Sequence, residues 1–243
     1  MSKICVVIPT YNEAKNLPKL INILEKVLQK LDFQIIVIDD NSPDETANIA
    51  EKLNSRYKNI MVQRRLGKLG IGSAVSEGLK LALSFQDLEY IVTIDADLSH
   101  DPREVTYLLR EAERTDLVQG SRYMNGSRII GLGLSRRVAS YTANLLCRLL
   151  LTTGLREHTT YFRVYSRRCA KIVTESVHCS RYEWAIGSLL VAKKHKLTIK
   201  EVPITFAKRT SGKSKLKFQD VLLWLSYLVK TLPMHLAVQI QEV

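Results

Sequence analysis

The sequence predicts an α/β domain built on a mostly parallel sheet flanked by helices. Residues 4–8 (ICVVI), 35–38 (IIVI) and 90–94 (YIVTI) are unbroken apolar runs rich in β-branched residues. Runs that do not alternate suit strands covered on both faces. Apolar residues at helical spacing separate the runs, which gives the alternation of a doubly wound layer. Each run also ends in polar or acidic residues, at the strand ends where sheets of this kind bind ligands.

In chain order, the first run closes on Pro9 and leads into Thr10, Tyr11, Asn12 and Glu13. Residues 16–31 place Leu17, Leu20, Ile21, Leu24, Val27 and Leu28 on one helical face. The second run leads into Asp39, Asp40, Asn41, Ser42, Pro43 and Asp44. Residues 44–53 and 71–83 read as two further helices with a strand between them. Residues 67–72 (GKLGIG) follow Arg64 and Arg65 without the G-x-G-x-x-G spacing and without a convincing strand directly before them. That segment can bring backbone amides and Lys68 to a phosphate, or serve only as a flexible loop.

The third run ends in Asp95-Ala96-Asp97. Carboxylates at i and i+2 of a strand face the same way. Two like charges that close repel unless a cation lies between them, and hard divalent cations take such oxygens. Taken alone, the pair reads as a strand followed by an acidic turn, and Asn12 or Asp44 as a helix cap. Three acidic strand ends together point to a nucleotide site.

The second half is less regular. Residues 116–123 read as a short strand entering a loop, and residues 124–137 as a mobile basic loop with Arg128, Arg136 and Arg137 among its glycines. A helix is expected over 138–151, a strand over 197–206 and a second basic loop over 208–215. The charged run 193–196 reads as solvated surface. Residues 218–229 place Val221, Leu222, Trp224, Leu225 and Leu228 on one stripe, suited to core packing or to a membrane interface.

At 243 residues the chain fits one large domain, or one domain with an appendage. Its net charge of +12, concentrated beyond residue 120, calls for a polyanionic partner. Only 7% of residues are aromatic and no nucleic-acid-binding module is present, which argues against nucleic acid. Cys5, Cys147, Cys169 and Cys179 lack paired or metal-ligand spacing and read as reduced, mostly buried thiols of an intracellular protein. Met1 runs straight into a strand and no run of 18 apolar residues occurs, so neither a signal peptide nor a membrane-spanning helix is expected.

Several segments, in order, resemble the family 2 glycosyltransferases, in particular their dolichyl-phosphate mannosyltransferase branch. They are VVIPTYNEAKNLP (6–18), IIVIDDNSPDETANIAE (35–51), LGIGSAVSEGL (69–79), TIDADLSHDP (93–102), LVQGSRY (117–123) and EVPITFAKRTSGKSKL (201–216). The resemblance implies a GT-A fold: a Rossmann-like nucleotide-sugar half at residues 1–123, an acceptor half at 124–216 and a C-terminal amphipathic helix and tail at 217–243. It implies inverting transfer of mannose from GDP-mannose to dolichyl or another polyprenyl phosphate, assisted by Mg²⁺ or Mn²⁺. UDP-glucose or another nucleotide sugar is the alternative donor, and a catalytically silent lipid-phosphate-binding homologue the alternative role.

Carried over by residue, Pro9, Tyr11, Glu13 and Asp40 line the nucleotide pocket, with Lys68 and Ala96 alongside. Asp95 and Asp97 hold the metal on the diphosphate, and Ser99 stands where relatives can supply a third ligand. Arg122, Arg209 and Lys215 contact the phosphates, with Arg136 or Arg137 assisting; Asp97, Arg122 and Arg209 are the expected catalytic groups. Relatives usually carry Asp-x-Thr-Ser-Gly-Phe-Arg-x-Tyr, whereas residues 158–165 read HTTYFRVY, with the acid missing and Tyr161 in place of glycine. The lipid acceptor implies peripheral attachment to the cytoplasmic face of a membrane, through the basic loops and the Trp224 helix. A small membrane-embedded subunit is an expected accessory.

Overall fold

Seven strands form one sheet in the order β3-β2-β1-β4-β7-β5-β8. They are β1 (Ile4–Thr10), β2 (Phe33–Asp39), β3 (Ile60–Arg64), β4 (Tyr90–Thr93), β5 (Leu117–Ser121), β7 (Arg163–Ser166) and β8 (Ile199–Pro203). The computed structural model describes residues 4–151, 153–212, 215 and 218–240. β1 to β4 run parallel, while β7 is antiparallel to β4 and β5 on either side of it. The predicted mostly parallel α/β layer is therefore present, and the sheet takes strands from both sides of residue 123.

β1 shows why the first apolar run does not alternate. Ile4, Val6 and Ile8 pack into one core with α1 (Leu17–Leu28) and α4 (Val105–Ala112). Cys5 and Val7 pack into the other with α3 (Ile71–Leu83), α6 (Arg167–Ser176) and α7 (Trp184–Lys194). Helices cover both faces, so every residue of the strand is buried. Close approach is built in at two glycines of α3. A Cβ on Gly78 would lie 2.2 Å from Val7 of β1, and one on Gly72 would lie 2.4 Å from Trp184 of α7. α2 (Thr46–Tyr57) completes the first layer through Ala50.

The basic segment 124–137 is not a loop throughout. It contains β6 (Arg128–Ile130), which pairs parallel with β9 (Thr205–Ala207), and α5 (Leu134–Leu151) begins inside it. The strand expected over 197–206 is two strands in two sheets. The chain crosses between them at Ile204, which is buried and sits against Gly120, while its N–H bonds Ser121 O and its carbonyl accepts from Arg128 N. Pro203 just before it has no N–H to continue the ladder. The C-terminal helix α8 (Phe218–Ile240) runs well beyond residue 229.

The apolar stripe of α8 divides between two faces. Trp224 and Leu228 are buried with Cys147 and Leu151 of α5, whereas Val221, Leu222 and Leu225 are exposed. The described residues contain no helix long and apolar enough to cross a membrane. All four cysteines are free thiols, three of them buried.

Candidate active site

The parallel strands β1, β2 and β4 end on the same edge of the sheet, and each chain then turns through a left-handed residue: Asn12, Asn41 and Leu98, with φ of 55°, 56° and 60°. Asparagine tolerates this conformation; leucine does not readily do so, so the turn after the acid pair is strained. Asp39 braces the second turn, accepting from Thr10 Oγ1 at 2.8 Å and from Ser42 N and Oγ at 2.8 and 2.6 Å. Asp40 instead faces the neighbouring loop. Its Oδ1 accepts from Arg65 Nη1 at 2.5 Å and its Oδ2 from Gly70 N at 3.3 Å.

Burial raises the Asp40 carboxyl, and the Arg65 guanidinium opposes that rise. Arg65 is itself buried and also bonds Ser73 Oγ at 2.6 Å and pairs with Glu77 at 3.1 Å. Residues 67–72 thus follow a genuine strand, β3, and are anchored to the end of β2 as a fixed wall. Lys68 lies 4.6 Å over the ring of Tyr11, and Pro9 is buried in β1.

β4 ends at Thr93, so Asp95 and Asp97 converge through a turn and not through strand alternation. Asp97 accepts from Ser99 N at 2.9 Å and pairs with Arg209 at 3.1 Å. Glu13 joins the cluster, paired with Lys215 and accepting from Asn16 Nδ2 at 2.6 Å. Asn16 also donates to Ser211 O, which ties the basic segment 208–215 to the end of β1. Ala96 and Ser99 are buried between these groups.

The Asp95 carboxyl is pushed up to about 7, first by desolvation and then by Asp97 and Glu13, against the pull of Arg209 and Lys215. Its side chain is still 28% exposed, so solvent tempers that repulsion. Among the described residues no three His, Cys, Asp or Glu side chains form a preformed metal cage. Two converging carboxylates are nevertheless what Mg²⁺ takes from a protein when substrate phosphates and water supply its other ligands. The residues present fit such an ion.

Arg122 belongs to a second assembly. Its Nε and Nη2 each bond the Glu157 carboxylate at 2.8 Å, Nη2 also bonds Thr159 Oγ1 at 2.7 Å, and the guanidinium lies 4.9 Å over Phe206. Glu157 is fully buried. Burial alone would raise its carboxyl, but Arg122 and the Thr159 bonds hold it down at about 2. Glu157 is the acid expected at 158–165 and missing there: counted back from Phe162-Arg163, it occupies the acidic position of the family pattern.

Tyr161 points into the core, stacks on Trp184 with ring centroids 6.2 Å apart and donates to Arg181 O. Its bulk therefore does not obstruct the site. Arg163 is fully buried and bonds Ser188 Oγ and Ala185 O. Arg136 and Arg137 are exposed in the first turns of α5 and form no ion pair among the described residues. A cavity of about 110 Å³ lies further along α5, lined by Tyr123, Tyr141, Asn144, Leu145, Arg148 and Arg156. A cavity of about 450 Å³ opens at the opposite strand ends, by Tyr90, Asp116 and Thr198, far from the acids.

Of the expected residues, Tyr11 and Lys68 touch each other, Asp40 is tied to the Lys68 segment through Arg65 and Gly70, and Glu13, Arg209 and Lys215 gather at the acid pair. Arg122 joins through Phe206. His100, Arg65 and Glu157 were not anticipated. Counting the spacing back from Phe162 exposes Glu157, whereas the partners of Arg65 are visible only in three dimensions. His100 is buried between Phe162 and Phe206, and burial pushes its imidazole down to about 4.

This strand order, with carboxylates at the carboxyl ends and a mixed extension beyond β4, defines a GT-A glycosyltransferase. The chain belongs to glycosyl transferase family 2, whose sequence pattern matches residues 5–173. It is 34% identical over 219 residues to a polyprenol monophosphomannose synthase of Mycolicibacterium smegmatis, covering 89% of this chain and 82% of that protein. It is 32% identical over 231 residues to a dolichol-phosphate mannosyltransferase of Pyrococcus furiosus, covering 94% of this chain but spanning only 63% of the longer relative.

Among solved structures, mannosyl-3-phosphoglycerate synthase from Rubrobacter xylanophilus superposes with a TM-score of 0.69 at 20% identity, covering 98% of this chain and 75% of that one. Glucosyl-3-phosphoglycerate synthase from Mycobacterium tuberculosis, in complex with Mn²⁺, UDP-glucose and phosphoglyceric acid, gives 0.65 at 20% identity, covering 96% and 79%. At such identity these two likenesses speak for the fold alone.

Proposed function

We propose that this enzyme transfers mannose from GDP-mannose to a polyprenyl phosphate of the dolichyl type, with inversion and with Mg²⁺ or Mn²⁺. The observation that carries the reading is the Asp95/Asp97 pair at the carboxyl edge of the sheet, with Arg209 and Lys215 brought against it from the far end of the chain. The relatives named as polyprenyl-phosphate mannose transferases support the choice of sugar and acceptor.

Asp95 and Asp97 would hold the ion, and the Ser99 N–H braces Asp97. When bound, the ion supplies Lewis-acid neutralisation of the diphosphate oxygens. An acceptor phosphate is already an anion at neutral pH, so its oxygen needs no general base. That oxygen forms a bond to the sugar C1 while the bond from C1 to the β-phosphate oxygen breaks, and the nucleoside diphosphate departs with the electron pair. Attack opposite the leaving group inverts the carbon. The remaining task is to bring two anions together, and arginine forks are suited to it. Arg209 and Lys215 serve the phosphates directly. Arg122, fixed by Glu157, contributes from the acceptor side, and Arg136 and Arg137 await an anion at the positive end of α5.

Peripheral attachment at the cytoplasmic membrane face uses the exposed apolar residues of α5 and α8, with a small membrane-embedded subunit as accessory. Leu134, Val138, Tyr141, Leu145 and Leu149 of α5 are all exposed at helical spacing, beside Arg136, Arg137 and Arg148. The deciding experiment offers GDP-mannose, UDP-glucose and UDP-mannose in turn, with Mn²⁺ and a short polyprenyl phosphate, and reads product by mass. Mannosyl-phosphoryl-polyprenol from GDP-mannose is the expected product. Glucosyl product from UDP-glucose alone would move the enzyme to the alternative donor, and no product from any donor would leave the silent-homologue role.

A further inference from the structure

His100 is 2% exposed and its Nδ1 has no hydrogen-bond partner, although a buried ring nitrogen should have one. The ring cannot swing to find a partner elsewhere. Phe162 and Phe206 each pack 5.1 Å from it, and its backbone forms a bridge with Phe206. Nε2 lies 3.4 Å from Thr160 Oγ1, a hydroxyl that can donate to it, and in that tautomer the proton sits on Nδ1. Nδ1 in turn is 3.8 Å from Asp95 Oδ2, just outside hydrogen-bond reach.

We infer that His100 is a positioning residue, closing an Nδ1–H bond to Asp95 when the acid pair engages its divalent cation and so setting the affinity for that cation. The inference rests on the metal-dependent reading above. A carboxylate that binds a metal needs its other lone pairs held, and a neutral imidazole N–H does this without adding a charge that competes with the ion. The position has a second consequence. Phe206 meets His100 in a T-shaped contact and carries the Arg122 guanidinium 4.9 Å over its ring, so one phenyl ring joins the acid pair to the acceptor-side arginine.

The test uses the side-chain amides as substitutes for single ring nitrogens. Asparagine at 100 places an amide N–H where Nδ1 stands; glutamine places one where Nε2 stands; phenylalanine keeps the ring and neither nitrogen. Mn²⁺ affinity is measured for the whole protein by electron paramagnetic resonance of free Mn²⁺, with GDP present, on variants whose melting curves show a fold. His100→Asn should bind within about 2-fold of the parent, and His100→Gln and His100→Phe about 10-fold more weakly. Parental affinity in His100→Gln, or an equal loss in His100→Asn and His100→Gln, overturns the assignment. If His100→Phe does not fold, the contrast between asparagine and glutamine still decides it. A parent that binds no Mn²⁺, or whose binding survives Asp97→Asn, defeats the metal reading itself.

Discussion

The two sides of the sheet build their polar sites by different means. On the β3-β2-β1-β4 side, each site residue lies within a few positions of a parallel strand end, and part of its bracing comes from the same turn, as in Ser42 on Asp39 or Ser99 on Asp97. On the β7-β5-β8 side, the polar groups come from segments far apart in sequence and meet only in the fold. Arg122 reaches Glu157 across 35 positions, and Glu157 N reaches Glu201 across 44. A site built from strand ends inherits its precision from the ladder. One assembled from distant segments depends on buried ion pairs to fix it, and these are costly to break.

The largest effect should come from removing the feature on which the first side converges. Asp97→Asn keeps the shape of the side chain, including an acceptor for Ser99 N, but removes the charge that the proposed function assigns to the diphosphate-bound ion. Several kcal/mol of charge stabilisation should be lost, which is about 10³-fold or more in kcat/KM. Folding should change little, since the repulsion relieved on Asp95 offsets the lost pairing with Arg209. Steady-state rates with melting curves check both parts. A fall in melting temperature matching the loss of activity would show that the acids are structural.

Glu157→Gln makes the opposite contrast on the second side: it should damage stability as much as activity. Breaking one partner of a buried pair typically costs about 3–5 kcal/mol. The sign of its pH dependence follows from the carboxyl's position, at about 2 in the fold against an ordinary 4.5. A depressed folded pKa stabilises the protein fully above the ordinary value and progressively less as pH falls from 4.5 towards 2. Urea melts from pH 7 down to 3 should show the parent losing part of its stability below 4.5, and Glu157→Gln losing less. Equal acid sensitivity in both would mean the pair contributes nothing.

The same contrast explains what was legible before the structure. β1, β2 and β4 and the helices α1 and α3 follow from period and burial, and the acids at their ends were found because each strand ends close to them. β6 was missed and β9 was merged with β8, because three residues carry no periodicity and the pairing partner of each lies some 77 positions away. The break at Ile204 is set by packing against Gly120, which no local pattern announces. Arg65 read as one cation of a basic pair, yet its partners Asp40, Ser73 and Glu77 make it a buried girder. For α8 the stripe was visible, but which half of it faces the core depends on α5.

That division of α8 gives an intermediate prediction. Leu222→Glu, on the exposed face, should lower flotation with anionic liposomes several-fold and leave GDP binding and melting temperature near parental. Leu228→Ala, on the buried face, should cost about 2–3 kcal/mol in stability and change flotation little. Equal flotation by the parent and Leu222→Glu would remove α8 from the membrane contact.

The smallest effect should sit at the edge of the proposed nucleotide pocket, where the residue is exposed and nothing buried holds it. Lys68 contacts the Tyr11 ring at 4.6 Å but is solvated, and such a cation–π contact contributes about 0.5–1 kcal/mol. Lys68→Ala should therefore weaken GDP binding about 2- to 5-fold at low salt, by calorimetry. The difference should shrink as ionic strength rises, because Coulomb attraction between exposed groups is screened. Arg65 a few positions earlier is buried against Asp40, and its pairing should be indifferent to salt. If the Lys68 effect persists unchanged at high salt, Lys68 is not a solvated edge residue but part of the same fixed wall as Arg65. The boundary between built and floating parts of the nucleotide site would then lie further out than Gly70.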